Sequence, residues 1–187
     1  MSGSVRHHLC SCETPHGQQC PLLRFHAPTR ITNRHARGRR RAMIHGMELT
    51  PFATLTLETS SEGLHFLGTT PVGLRIIQEI VGARIEGPRI SASLKGAAAA
   101  DWLAVDAAGV ATFDIRMTLV TDDGAILYLR YEGRADWSEG LGKGPIDAAF
   151  WFEAGDERYT WLNALLPVGQ GRTTAGGAIV YELFQLA

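Results

Sequence analysis

From residue 47 to the end of the chain there is no cysteine, and His65 is the only histidine. The absence of cysteine excludes thiol nucleophiles and disulfide exchange there, and zinc would have to rely on His65 and carboxylates. A Ser-His-acid triad would also need His65, and the sequence has no Gly-x-Ser-x-Gly nucleophile elbow. We therefore predict neither a metal site nor a cofactor, and we interpret His65 as a surface or partly buried imidazole.

Long apolar runs are absent as well. No segment is long enough to span a membrane, and no apolar stretch of roughly 7–15 residues follows the basic N-terminal residues, as a secretory signal requires. These absences exclude a helical membrane protein and predict a cytoplasmic location without a membrane partner.

The three cysteines and the six remaining histidines lie in a basic leader, residues 1–46, which also has eight arginines and one acid, Glu13. Because the leader lacks apolar periodicity, it cannot bury enough surface to offset the entropy of ordering, and we predict it to be disordered. The favoured account is a start codon placed too early, with Met47 as the expected true beginning, or else a dispensable tail. One alternative is a nucleic-acid-binding arm, although Phe25 is its only stacking aromatic. Another is a zinc site with an unusual Cys-x-Cys spacing. Its ligands would come from Cys10, Cys12, Cys20, His16 and His26.

Residues 47–187 are predicted to form one domain, large enough for a core without disulfides or metal. The domain carries 10 basic and 18 acidic residues, a formal net charge of about −8. This acidic balance disfavours nucleic-acid binding by the domain.

Short stretches of alternating apolar and polar residues, separated by turn residues, predict strands. They lie at residues 52–58, 89–94, 110–120, 125–132, 148–153 and 178–186. A short helix is predicted near residues 158–165, whereas residues 71–81 could be a helix, a strand or a buried loop. The glycine-containing segments 140–144, 169–172 and 176–177 are interpreted as surface loops and turns. With no βαβ spacing and no long amphipathic helix, these elements favour an all-β barrel or sandwich.

The strands at 110–120 and 125–132 form a predicted hairpin, and its loop length decides which side chains share a face. A two-residue loop would pair Met117 with Arg130 and bury a charge without a partner, at a cost on the order of several kcal/mol. We predict a three-residue loop, Asp122-Asp123-Gly124, with Gly124 in the left-handed conformation. One face is then apolar, formed by Phe113, Ile115, Met117, Leu119, Leu127, Leu129 and Tyr131. The other face is polar, formed by Asp114, Arg116, Thr118, Tyr128, Arg130 and Glu132.

The polar face of this hairpin admits two interpretations. In an ordinary barrel the apolar face fills the interior and the charged face is solvated, as cross-strand charge ladders commonly are. In a ligand-holding barrel the polar row would line the lumen, and the apolar face would pack beneath a second layer.

Five short motifs occur along the chain in a fixed order. They are Glu86-Gly87-Pro88-Arg89, Ala100-Asp101-Trp102, Asp114-Ile115-Arg116, Thr121-Asp122-Asp123-Gly124-Ala125 and Tyr159-Thr160-Trp161-Leu162-Asn163. Each motif is weak alone, but the ordered series resembles the signature of the family of unknown function DUF3237, also called uncharacterised protein family UPF0311, over about residues 47–186. The resemblance implies a single compact antiparallel β-barrel, calycin-like or allene-oxide-cyclase-like. It implies no catalytic residue, because no activity is established for the family as a whole.

Candidate site residues come from the acids, cations and aromatics of the domain. Asp101 beside Trp102 is the predicted general base, because an acid next to a large aromatic in a barrel mouth could have a raised pKa. Tyr128 is the second predicted catalytic residue, and it or Arg116 would stabilise an enolate. The predicted ligand-binding residues offer a cation, an aromatic face or a polar group. They are Arg116, Arg130, Trp151, Tyr159, Trp161 and Asn163. An ordinary core cluster, with Asn163 as a cap or turn residue, is the alternative for the aromatic members.

Three functions remain open from these residues. We predict a small-molecule-binding β-barrel for an apolar oxygenated or aromatic metabolite. The first alternative is a cofactor-free isomerase, cyclase or lyase that uses an acid/base pair in the barrel. The second is a structural or partner-binding protein with a filled barrel. A homodimer is a further open alternative, because edge strands in small barrels often pair.

Overall fold

Nine strands and one short 3₁₀-helix make up the structure, a computed structural model that describes residues 48–186. The strands are β1 (Leu49–Thr70), β2 (Gly73–Gly87), β3 (Ile90–Leu94), β4 (Ala100–Val105), β5 (Val110–Thr121), β6 (Ile126–Asp136), β7 (Ile146–Ala154), β8 (Val168–Thr173) and β9 (Ile179–Leu186). The 3₁₀-helix, Thr160–Ala164, lies between β7 and β8. The leader over residues 1–46, with its predicted disorder and its alternatives, lies outside the described residues. Within residues 48–186, no helix has the length and apolar character needed to cross a membrane.

The antiparallel sheet closes on itself, because β1 pairs with β9 on one side and with β2 on the other. From β9 the order continues through β8, β7 and β6 to β5. β3 and β4 share the position between β5 and β2, since β2 pairs with β4 through residues 74–79 and with β3 through residues 84–87. β5 likewise pairs with both of these short strands. The predicted all-β barrel is confirmed.

Alternation along the strands produces the apolar interior. In β5, for example, Phe113, Ile115 and Met117 are at most 3% exposed, whereas the residues between them point outward. Each large side chain buried in this way contributes roughly 1.5–3 kcal/mol relative to leaving it in water. The hydrophobic pattern therefore decides which side of every strand faces the barrel axis.

The hairpin between β5 and β6 has the predicted three-residue loop. Met117 pairs with Leu129, the Thr121 N–H donates to the Ala125 carbonyl at 2.9 Å, and Gly124 has a φ of 94°. Only a glycine adopts that φ without strain, so the loop length is encoded locally. The apolar face of the hairpin is buried, and the polar face lies on the outside. The structure therefore has the ordinary barrel arrangement, in which the apolar face fills the interior and the charged face is solvated.

Several elements differ from the sequence predictions or decide between them. Residues 71–81, for which a helix, a strand and a buried loop were all open, belong mainly to strand β2. The helix predicted near residues 158–165 is a short 3₁₀-helix, and it ends because the backbone of Leu165 is extended. Strand β4 was not predicted, since its Ala100 and Ala104 have little strand propensity of their own.

Residues 169–172, predicted to form a turn, lie instead in strand β8. Gly169 and Gly171 point towards the interior in this strand. A Cβ atom on Gly171 would lie 2.4 Å from the Tyr181 ring, and one on Gly169 would lie 2.7 Å from Leu183 and 3.2 Å from Phe150. These glycines are needed because large side chains of β7 and β9 fill the space that β8 side chains would otherwise occupy.

Candidate functional site

Asp101 is a carboxyl group inside an apolar barrel. It alternates in β4 with the outward-facing Trp102 and pairs with the buried Ile115 of β5. Asp101 is 8% exposed, and it is the only buried charged residue in the part of the chain that the structure describes. Burying a carboxylate is costly unless hydrogen bonds and charges compensate it. Its surroundings therefore decide what it can do.

The backbone ladder between β4 and β5 is interrupted beside Asp101. The two strands pair at Asp101 with Ile115 and again at Ala104 with Thr112, and the positions between them are unpaired. In a regular ladder the Asp114 N–H would donate to the Trp102 carbonyl at this position. It donates instead to Oδ1 of Asp101, at 3.1 Å. A side chain thus replaces part of the backbone pairing, and we call this place the β4–β5 interruption.

Arg75 satisfies the other half of the β4–β5 interruption. Its Nη1 donates to the Trp102 carbonyl, the acceptor that Asp114 leaves free. Arg75 pairs with Ala104 in the sheet and shares its outward direction. Ala104 is buried although it points outward, as expected if the Arg75 side chain runs across it. The wall of the barrel therefore has a carboxyl group on its inner side and a guanidinium on its outer side here.

Two tyrosines share the interior with Asp101. The rings of Tyr131 and Tyr181 meet edge to face with centroids 5.2 Å apart, and both residues are at most 1% exposed. The two phenol groups act on each other's pKa, and the charge of Asp101 raises the pKa of both. Phe150 packs against both rings, and its ring centroid lies 4.6 Å from that of Tyr131 and 5.6 Å from that of Tyr181. The middle of the barrel thus holds one carboxyl and two phenol groups among aromatic rings.

This environment changes the ionisation of the three groups. Desolvation raises the pKa of Asp101 from 3.8 to about 7, opposed by the Asp114 N–H bond and by the charge of Arg75. Burial also raises the pKa of Tyr131 and of Tyr181 above the ordinary tyrosine value. The tyrosines therefore stay neutral at physiological pH, whereas Asp101 exchanges a proton near neutrality. A carboxyl with such a pKa can act as either a general acid or a general base.

Four of the predicted site residues lie on the outer face of the barrel. Arg116 stands opposite Arg130, which stands opposite Trp151, and Tyr128 lies on the same side of β6. The Arg130 guanidinium carbon is 4.7 Å from the Trp151 ring centroid. The wall of the barrel separates this group from Asp101. The structure therefore does not bring together the two predicted catalytic residues, Asp101 and Tyr128.

The two outer arginines take part in a ladder of charges. Arg116 pairs with Asp114 at 2.9 Å and Arg130 pairs with Glu132 at 3.6 Å, each along its own strand. The Arg116 guanidinium carbon also lies 5.5 Å from the centroid of the Trp102 ring. Arg116 is thus the predicted ligand-binding residue that stands next to the β4–β5 interruption.

Trp161 and Asn163 belong to the 3₁₀-helix near one end of the barrel. Trp161 packs edge to face on Phe52 at 6.2 Å, and the Arg89 guanidinium carbon lies 3.7 Å from its ring centroid. The Asn163 side chain accepts from the Ala154 N–H at 2.7 Å and donates to the Ala154 carbonyl at 2.9 Å. At the end of β7 the Asn163 side chain therefore forms the two backbone hydrogen bonds that a neighbouring strand would otherwise form.

Tyr159 supports the tip of the β5–β6 hairpin. Its hydroxyl donates to Oδ1 of Asp123 at 3.0 Å, and Arg158 binds the other oxygen at 2.8 Å. The pKa of Asp123 is lowered mainly by the hydrogen bond that the Thr121 hydroxyl donates to it. At the neighbouring position Arg84 lowers the pKa of Asp122 to about 2. Both turn carboxyls are therefore ionised and engaged, in contrast to Asp101.

Neither Arg75 nor Tyr181 was among the residues predicted for the site, and Tyr131 was predicted only to lie on the apolar face of its hairpin. If that face had been taken as the inner one, Tyr131 rather than Tyr128 would have been placed in the interior with Asp101. Arg75 carries no such signal, because its position depends on β4 lying between β2 and β5. That adjacency of distant segments is not visible in local patterns.

Comparison with known proteins places the chain in a family. The sequence model of the family of proteins of unknown function DUF3237 matches residues 47–186, and the chain belongs to this family. The resemblance found in the sequence motifs is confirmed. No curated protein matches the chain.

Solved structures show the same fold. A β-barrel-like protein from Acinetobacter baumannii is 28% identical, with a TM-score of 0.65 over 76% of this chain and 97% of that one. A conserved protein of unknown function from Rhodopseudomonas palustris is 22% identical, with a TM-score of 0.67 over 76% of this chain and 99% of that one. An enzyme from Penicillium herquei is 18% identical, with a TM-score of 0.56 over 75% of this chain and 95% of that one.

Proposed function

We propose that the protein binds a small oxygenated metabolite, apolar or aromatic in its remaining part, at the β4–β5 interruption, where its oxygen reaches Asp101. The observation that carries this proposal is a carboxyl group buried at an interruption of the backbone ladder, in an interior that also holds Tyr131 and Tyr181. A barrel that needed only stability would gain from an apolar residue at this position, since replacing buried charges by packed hydrophobic groups is often stabilising. A carboxyl retained there is typical of a binding or catalytic site.

A second candidate function, cofactor-free proton transfer, is favoured by the ionisation of Asp101. A general base works best when its pKa lies near the working pH, and Asp101 meets this condition. Neutral tyrosine hydroxyls can donate hydrogen bonds to the oxygen of a carbonyl group as it gains negative charge. Isomerisation, cyclisation or elimination next to a carbonyl would use these groups. The fold neighbour from Penicillium herquei is an enzyme, which makes the same fold compatible with catalysis but assigns no reaction to this chain.

The first experiment measures thermal melting of the full chain with a library of aromatic, keto and lactone compounds. A compound that binds the folded state raises the midpoint, and at a hundred times its dissociation constant it stabilises by about 2.7 kcal/mol. We expect the shift to be reduced in Asp101→Asn and kept in Asp147→Asn, a matched change of an exposed carboxyl on β7. No shift with any compound would overturn the binding function and favour a filled, structural barrel.

Proton transfer is tested without knowledge of the natural reaction. Compounds that bind and have a C–H next to a carbonyl are incubated with the protein in D₂O, and deuterium uptake is followed by NMR. Catalysed exchange that disappears in Asp101→Asn but not in Asp147→Asn would support catalysis. Tight binding without any exchange would leave the binding function and reject the catalytic one.

A further inference from the structure

Arg75 has capacity for a ligand. It is half-buried, and its one side-chain hydrogen bond in the described part of the chain goes to the Trp102 carbonyl. None of the carboxylates within residues 48–186 forms an ion pair with it. A guanidinium has five N–H donors in a planar fork that matches a carboxylate. Arg75 is thus a cation with donors to spare at the outer side of the β4–β5 interruption.

Trp102 supplies an aromatic surface at the same place. It is 40% exposed although it is a large apolar side chain. Arg75, on β2, donates a hydrogen bond to the backbone carbonyl of Trp102. The guanidinium of Arg116, on β5, lies over the Trp102 ring. Arg116 is already neutralised by Asp114 at 2.9 Å, so Arg75 is the cation left to bind an anion. Aromatic rings and guanidinium groups are the pair of features that recognise a flat acid.

We propose that Arg75 and Trp102 form the outer part of the site and recognise a small aromatic carboxylate, with its ring on Trp102 and its carboxylate on the Arg75 guanidinium. The inference rests on the proposed function, because it names the class of ligand that the Asp101 site takes. Both groups lie on the outer side of the wall, next to the β4–β5 interruption and across it from Asp101.

Binding of an anion at Arg75 is coupled to the proton on Asp101. The charged or titratable groups that act on Asp101 are Arg75 from β2 and Asp114 from β5, together with Tyr131 from β6 and Tyr181 from β9. Arg75 is the one cation among them, and an anion bound to it would offset its attraction for the Asp101 carboxylate. Protonated Asp101 should therefore favour anion binding, and anion binding should favour protonated Asp101.

The test uses benzoate as the probe and the full chain at constant ionic strength. Titration is followed by calorimetry and by the NMR signals of the Trp102 indole N–H and the Arg75 Nε–H. We expect saturable binding that is tighter at pH 5.5 than at pH 8, and weaker binding of both cyclohexanecarboxylate and benzyl alcohol. In Asp101→Asn the dependence on pH should disappear while benzoate still binds.

Arg75→Met should weaken benzoate binding about ten- to a hundredfold, the worth of one or two hydrogen bonds to a charged group. Arg75→Lys, which keeps the charge and a donor for the Trp102 carbonyl, should bind with intermediate affinity and serves if Arg75→Met does not fold. Arg172→Met, a change of an exposed arginine on β8, should bind benzoate like the unchanged protein. Absence of saturable binding, or equal losses in Arg75→Met and Arg172→Met, would overturn the assignment. Neutral carbonyl compounds could bind in an Asp101-dependent manner even if benzoate binding does not depend on Arg75. That result would support the proposed function and reject only the role of Arg75.

Discussion

Substitution of Asp101 by asparagine should change how the stability of the protein depends on pH. The pKa of this carboxyl is 3.8 in its ordinary state and about 7 in the folded barrel. Each pKa unit corresponds to 1.36 kcal/mol, so ionising Asp101 costs the folded state about 4 kcal/mol relative to the unfolded chain. Because the folded state holds the proton more tightly, this contribution is present below pH 3.8 and is lost as the pH rises to about 7.

The measurement is urea-induced unfolding of the full chain, followed by tryptophan fluorescence at several pH values between 4.5 and 8. The free energy of unfolding of the unchanged protein, relative to that of Asp101→Asn, should fall by about 1.4 kcal/mol per pH unit up to neutrality and then level off. Histidines and other acids titrate in both proteins, so their effects cancel in the difference. Asp147→Asn, which removes an exposed carboxyl from β7, provides the control for the substitution itself. Parallel curves for Asp101→Asn and the unchanged protein would refute the reasoning, because they would show that Asp101 has an ordinary pKa in the folded state.

Two further predictions concern the packing that holds the site. Gly171→Ala should destabilise the protein by about 1–3 kcal/mol, because the new Cβ would lie 2.4 Å from the Tyr181 ring; chemical denaturation checks this, with Gly155→Ala, where no atom lies within 4 Å of the new Cβ, as the matched change. Asn163→Ala should cost about 1–3 kcal/mol, since it removes both hydrogen bonds to the Ala154 backbone, and faster hydrogen exchange at the Ala154 amide should accompany the loss. Unaltered stability in either variant would count against the corresponding contact.

Local signals were sufficient for much of the fold. The β5–β6 hairpin could be predicted in register, because Gly124 allows one loop geometry and the alternation of side chains agrees with it. Strand β8 could not, since Gly169 and Gly171 resemble turn residues until the rings that pack against them are known. Whether a glycine belongs to a strand or a turn depends here on the side chains that pack against it from other strands, and a single sequence does not identify those side chains.

The candidate site shows the same division between local and long-range information. Asp101 was selected by its neighbour Trp102, a local feature. Tyr128 was predicted as the second catalytic residue while both interpretations of the polar face were open. The structure places Tyr128 on the outer face and Tyr131 in the interior, because only odd-numbered positions of this strand face inward. The predicted pairing of the hairpin is confirmed, but the pattern of one hairpin does not decide which of its faces lines the interior.

The exchange of hydrogen bonds at the β4–β5 interruption bears on whether Asp101 is a structural or a functional group. A purely structural carboxyl would be expected to replace backbone bonds that the strands cannot make, yet β4 and β5 keep the same register on both sides of the break. The Asp114 N–H and the Trp102 carbonyl therefore face each other across a ladder that could be continuous. Asp101 and Arg75 divert the two groups, so one backbone bond is exchanged for two side-chain bonds and a carboxyl is buried. Because burying a carboxyl is costly, this exchange is the feature for which the proposed ligand site at the β4–β5 interruption offers an explanation.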